Sequence, residues 1–154
     1  MTTRNKLTNV EKAYAAGLID GEGHIIIYKH DRTKILRYHN KTPTYILIVG
    51  CTNTEEKMIT FLFERWGASR NSRRHRNPKW KPVYEWVIQA KKALKFLEDI
   101  YPYLITKKYK AELAIRFQKG MERKKNRKER VKQVSKKEIS RREKLWEKLN
   151  LHKH

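Results

Sequence analysis

Nine consecutive residues, Ala15-Ala16-Gly17-Leu18-Ile19-Asp20-Gly21-Glu22-Gly23, concentrate the chemistry of this 154-residue chain. Ala13, Gly17 and Gly21 recur every four residues, with Ala16 and Asp20 beside them. At helical spacing that leaves one face almost bare of side chains, and such a face admits a second backbone at close range. The stretch then ends in two carboxylates, Asp20 and Glu22. A helix C-terminus already presents about half a negative charge and favours cations by about 0.3–1 kcal/mol. Two acids there require positive compensation, which a divalent metal supplies. Each feature alone is ordinary, since glycine-rich helix ends are common caps; their coincidence in nine residues argues for a site.

Charge narrows the partner. Lys and Arg number 38 against 16 Asp and Glu, a formal net charge of +22. Residues 1–118 hold 23 basic and 11 acidic side chains, and residues 119–154 hold 15 and 5. The apolar-rich part is therefore basic in its own right. A folded surface of that sign reads as a phosphate-binding face, with nucleic acid ahead of an acidic membrane surface. No run of about 18 apolar residues is present to span a membrane. The opening MTTRNKLTN lacks the apolar stretch of a secretion signal. A lone Cys51 forms no internal disulfide, and with scattered histidines gives no zinc-ligand spacing. The expected setting is intracellular and reducing; chloroplast, mitochondrion and bacterial cytoplasm are not distinguished.

The elements that would position these groups follow from pattern. Thr8 with Glu11 fits a capping box opening a helix that runs to about Asp20. His24–His30 is a β-branched run and reads as a strand. Residues 31–42 form a polar, basic connection, and Tyr45–Thr52 is a second strand. Between Thr52 and Trp66, Met58, Ile59, Leu62, Phe63 and Trp66 fall at helical spacing as a core stripe, closed by Gly67. Residues 68–76 occupy the place of a third strand, and Val83–Gln89 is a fourth. Ala90–Ile100 is an amphipathic helix, Pro102 breaks it, and Lys107 to about Gln118 is the last core helix. The order α-β-β-α-β-β-α-α predicts an α+β fold with antiparallel hairpins and no internal repeat. Beyond Lys119, Ser135 with Glu138 and Ser140 with Glu143 suggest short helices in a basic extension, against the alternative of a solvated tail.

AAGLIDGEG resembles the signature of the LAGLIDADG homing endonucleases, with Ala15 for Leu, Gly21 for Ala and Glu22 for Asp. The likeness extends through about residue 118, because the αββαββα order with the motif on the first helix matches that family's fold and its saddle-shaped antiparallel sheet. It implies a domain over residues 1–118 and an extension over 119–154. One motif in a short chain implies the homodimeric branch, with Ala13, Ala16, Gly17, Asp20 and Gly21 at the interface. Glu22, helped by the Gly21 carbonyl, would then bind the metal, magnesium or another divalent ion such as manganese. Asp20 falls at a position that mainly anchors the helix end. Lys107, after Pro102-Tyr103-Leu104, resembles the family's lysine beside the catalytic water. Asn53 falls where relatives carry a polar residue that orders water; capping the second helix is the plain alternative.

The resemblance also assigns the DNA-reading face. On the first strand His24, Ile26, Tyr28 and His30 are given to DNA, although both strand faces contain isoleucine and periodicity leaves the phase open. In the basic connection Arg32, Lys34 and Arg37 would meet bases or backbone. On the third strand Arg70, Ser72, Arg74 and Arg76 share a face, and Arg70 and Arg74 are the best candidates to grip guanine. On the fourth strand Tyr84, Trp86 and Ile88 look like core, leaving Glu85 and Gln89 toward DNA, with the opposite phase open. The basic extension is expected to add phosphate contacts.

The function so implied is an intron-encoded, metal-dependent endonuclease that cuts both strands of a long near-palindromic DNA site and leaves 3′ overhangs. The alternatives are an RNA maturase that assists group I intron splicing, with intron RNA as partner, and a DNA-binding protein whose acid site is silent.

Overall fold

A computed structural model describes residues 6–31, 42–125 and 134–151. The chain runs α1 (Asn9–Glu22), β1 (Gly23–His30), β2 (Thr44–Asn53), α2 (Glu56–Trp66), β3 (Ser69–Arg73), β4 (Val83–Gln89), α3 (Ala90–Ile100), a 3-10 turn (Tyr101–Tyr103), α4 (Lys108–Lys125) and α5 (Lys136–Leu151). The four strands form one sheet in the order β1-β2-β4-β3 with every neighbouring pair antiparallel. This is the α+β architecture that the element order predicts. No helix among the described residues is long and apolar enough to cross a membrane.

The sheet is two-faced. Ile25 and Ile27 of β1, Leu47 and Val49 of β2, and Trp86 and Ile88 of β4 are buried against the helices. Trp86 anchors this layer: its indole N–H donates to the Gly67 carbonyl at 2.7 Å, and its ring meets Phe96 of α3 edge-on at 4.9 Å. Burial of Tyr84's side of β4 settles the phase of Val83–Gln89 as expected, with Glu85 and Gln89 on the opposite face. That opposite face carries no helix among the described residues.

Chain ends of α1 follow local rules. The backbone N–H of Thr8 donates to Glu11 at 2.8 Å and the N–H of Glu11 donates to the Thr8 hydroxyl at 3.2 Å, closing the capping box. At the other end the helix continues through Glu22 and turns directly into β1 at Gly23. A Cβ at Gly23 would lie 2.7 Å from the Ile19 Cα, so only glycine permits so abrupt an exit.

Four expectations change. Helix α2 begins at Glu56 rather than near Thr52, because β2 pairs with β4 as far as Asn53. Phe63 leaves the core stripe and is 39% exposed, its ring lying beneath the Arg70 guanidinium. Helix α4 runs past Gln118 to Lys125, so the expected boundary at 118 falls inside a helix. The extension then supplies one 16-residue helix, α5, with Ser135 capping it and Ser140 in its interior instead of starting a second.

Helix α5 is held to the domain by polar contacts as well as Leu145 and Leu149. Glu143 accepts from the Lys29 ammonium at 2.7 Å and from the Tyr45 hydroxyl. Asn150 donates to the Ile27 carbonyl at 3.4 Å. A Cβ at Gly120 would strike the Arg141 guanidinium, so α4 and α5 meet where α4 has no side chain.

Candidate active site and nucleic-acid interface

The exposed carboxylate of Glu22 stands at the last residue of α1. Its charge reaches two neighbours, Lys107 and the buried Cys51. Burial first, and then Glu22, push the Cys51 thiol up to about 11, so it stays protonated and unreactive. Asp20 does different work. Its two oxygens accept from the backbone N–H groups of Ile105 at 2.8 Å and Lys107 at 2.9 Å. Burial raises its pKa, but those two donors with Thr106 outweigh it and hold the carboxyl below its ordinary value. Asp20 thus ties the end of α1 to the segment before α4.

Lys107 supplies part of the positive charge that the helix end requires. Its ammonium donates to the carbonyl oxygens of Ile19 at 2.7 Å and Asp20 at 2.8 Å. Burial draws its pKa down while Asp20 pulls it up. Asn53 is committed elsewhere: its carboxamide oxygen accepts from the Glu55 N–H at 2.8 Å and turns β2 into α2. The cap of α2 is Glu55, whose carboxylate accepts from the Lys57 N–H, so Asn53 makes the turn before the helix and is not its cap.

The outer face of α1 is bare. Around a Cβ built at Gly17 or Gly21 nothing lies within 4 Å, and Ala13 is exposed. Ala16 does not share this face. It is fully buried in its own core, since residues 15, 16, 18 and 19 together form the side turned toward the sheet.

On the sheet, directly paired residues of an antiparallel ladder project to the same face. His24, Ile26, Tyr28 and His30 lie opposite Gly50, Ile48, Ile46 and Thr44, all away from the helices. His24 takes the space that Gly50 leaves, for a Cβ there would lie 2.5 Å from its ring. Burial lowers the His24 pKa, partly opposed by Glu85. The third strand has the other phase. Arg70 pairs with buried Trp86 and so faces the helices, donating to the Thr60 hydroxyl at 2.7 Å. Ser72 pairs with Tyr84 and shares that side. Asn71 and Arg73 are the residues on the open face, with Arg73 3.5 Å from Glu85. Arg74 and Arg76 lie beyond β3, in the exposed connection 74–82. Sequence reading missed Asn71 and Arg73; the signal was the buried tryptophan of β4, whose hairpin partner must share its face. Arg32, Lys34 and Arg37 lie outside the described residues.

Among the described residues no three His, Cys, Asp or Glu side chains converge to hold a metal. Glu22 nevertheless offers an exposed carboxylate, and a Cβ built at Gly21 beside it would meet nothing within 4 Å. Hard oxygen donors suit magnesium or manganese, so the Glu22 carboxylate has the chemistry of a single ligand to such an ion.

No protein-family model and no curated protein sequence matches the chain. Solved structures do. The archaeal intron-encoded homing endonuclease I-Vdi141I, complexed with DNA, superposes with a TM-score of 0.71 at 14% identity, over 95% of this chain and 86% of its own. The homing endonuclease I-CvuI, in complex with its target in the presence of calcium, gives 0.68 at 18% identity, over 93% and 82%. The LAGLIDADG homing endonuclease I-SmaMI, bound to cleaved DNA, gives 0.65 at 18% identity, over 92% of this chain and 43% of its own. With the AAGLIDGEG motif on its first helix and one sheet in the order β1-β2-β4-β3, the chain has the fold of the LAGLIDADG homing endonucleases.

Proposed function

We propose that two copies of this chain form a site-specific endonuclease that cuts both strands of a near-palindromic DNA site with a divalent cation. One observation supports this above the rest. An exposed Glu22 ends a helix whose outer face, Ala13, Gly17 and Gly21, meets only open space, and the Lys107 ammonium is fixed at the same helix end. A two-fold pairing of α1 with its copy uses that bare face and brings two Glu22 carboxylates together. Like charges at that range remain ionised only when cations lie between them.

Glu22 with the Gly21 carbonyl would hold the ion, which supplies an activated water and charge neutralisation at the phosphate. The remaining work falls to the chain itself. Lys107 places a fixed positive charge beside the cleaved phosphodiester, where charge develops in the transition state. Asp20 positions Lys107 by gripping its backbone. The open sheet face lies in the major groove and selects the site, while the +22 charge drives phosphate contact. The neighbours support this reading, because I-Vdi141I and I-CvuI were captured on DNA and I-SmaMI on a cleaved duplex. The intron-encoded setting of I-Vdi141I is proposed here as well.

The test is a plasmid bearing the intronless host locus, incubated with the protein and magnesium. The expected product is linear DNA. Glu22→Gln should lower the cleavage rate by about two orders of magnitude or more and leave binding within a few-fold. Loss of binding together with cleavage would assign Glu22 to folding. An intact plasmid with faster splicing of the intron RNA would assign the chain to maturase work.

A further inference from the structure

The open face of the sheet is apolar at its middle. Ile26 is 36% exposed, Ile46 37% and Tyr28 51%. In register Ile26 opposes Ile48 and Tyr28 opposes Ile46, while Gly50 opposes Val87 of β4. None of the isoleucines nor Val87 can donate or accept a hydrogen bond. Around them the face is polar: His24 toward the Glu22 end, His30 and Thr44 at the far end, Gln89 beside Ile48 and Glu85 further along β4, and Asn71 and Arg73 on β3. An exposed apolar patch inside a polar rim marks a contact surface, and the net charge of +22 selects a polyanion as the occupant.

We infer that this stripe reads thymine methyl groups, so that each half-site carries a run of A·T pairs between positions read by hydrogen bonds. The inference rests on the endonuclease reading and adds the base chemistry of its substrate. An isoleucine laid against a G·C edge leaves the guanine acceptors and the cytosine amino group without partners, a desolvation cost. Against A·T the same side chain meets the thymine 5-methyl, the one apolar group on the major-groove floor. Successive residues on one strand face stand about 6.7 Å apart, close to two base-pair steps of about 3.4 Å. The two ranks Tyr28–Ile46 and Ile26–Ile48 therefore stand about two base-pair steps apart and cover about three base pairs. Counted outward from Glu22, His24 reads first, the methyl-reading ranks next, and His30 last.

The experiment is selection of bound sequences from a pool of randomised duplexes by the full chain. The enriched duplexes are then resynthesised with deoxyuridine for thymidine, which removes only the methyl group. The expected result is a contiguous A·T run of about three pairs in each half-site, with affinity falling about three- to four-fold for each methyl lost there. Ile48→Gln should abolish that sensitivity at its own positions, and the deoxyuridine comparison stands even if this variant folds poorly. Selective binding to sites with G·C pairs in the run, or indifference to deoxyuridine, overturns the inference and leaves the endonuclease reading standing. Enrichment of no sequence at all removes both.

Discussion

Lys107 sets its ammonium on the carbonyl oxygen of Ile19, which also accepts from the Gly23 N–H, and on that of Asp20, in the last turn of the helix. Lys107→Met should lower stability by about 1 kcal/mol, as expected for loss of a cation at a helix C-terminus. It should slow cleavage far more, by about a hundred-fold or more, with binding largely kept. Melting curves, binding and single-turnover cleavage of the same variant separate these effects. The motif made Glu22 and Asp20 legible, and the misplaced charge of two acids announced that a cation was needed. What the sequence hid is that a side chain 87 positions away supplies part of it, because such a contact leaves no local pattern. Asn53 shows the converse: an ordinary turn uses its carboxamide oxygen, and residue type alone could not rank that against ordering water.

Among the elements, β3 teaches the most. Its exposed side chains are polar on both faces, so no alternation reveals its phase, whereas β4 carries its own in the burial of Trp86 and Ile88. Pairing transfers that phase across the ladder. The consequence is an exchange of roles between two arginines. Arg73→Ala should weaken binding to the preferred site and relax its choice of base, by about 1–3 kcal/mol if the contact is bidentate to guanine. Arg70→Ala should leave base preference intact and lower the melting temperature, since it releases Thr60 and the Phe63 ring. Competition binding against single-base variants reads the difference. Helix α5 makes a second case. The basic composition of the extension suggested a phosphate tail, but the structure places Glu143 between Lys29 and Tyr45. Burial raises the Glu143 pKa, and the bonds from Lys29 and Tyr45 overcome that and lower it below its ordinary 4.5. A depressed carboxylate stabilises the fold above its unfolded pKa and loses that contribution as pH falls through the folded value. Acidification below about 4.5 should therefore release α5 before the sheet, at a loss of about 1 kcal/mol. Amide exchange across Lys136–Leu151 measures it, and Glu143→Gln should remove the pH dependence.

For the molecule as a whole, strand and helix order was legible because each element carries its own signal: a capping box at Thr8, a β-branched run in β1, a glycine at 67. The charge excess was equally plain, and together they sufficed for the fold. The way α5 closes over β1 was not, since it rests on Gly120 yielding room to Arg141 and on polar partners far apart in sequence. The empty space above Gly17 and Gly21 carries a final consequence. Each glycine within a helix forfeits about 1 kcal/mol relative to alanine, and nothing inside one chain repays it. Gly17→Ala should thus make the solitary chain melt higher while holding two copies apart, a gain in robustness obtained at the expense of assembly. Sedimentation and thermal melts of that one variant, moving in opposite directions, would show that folding and pairing compete for the same codon.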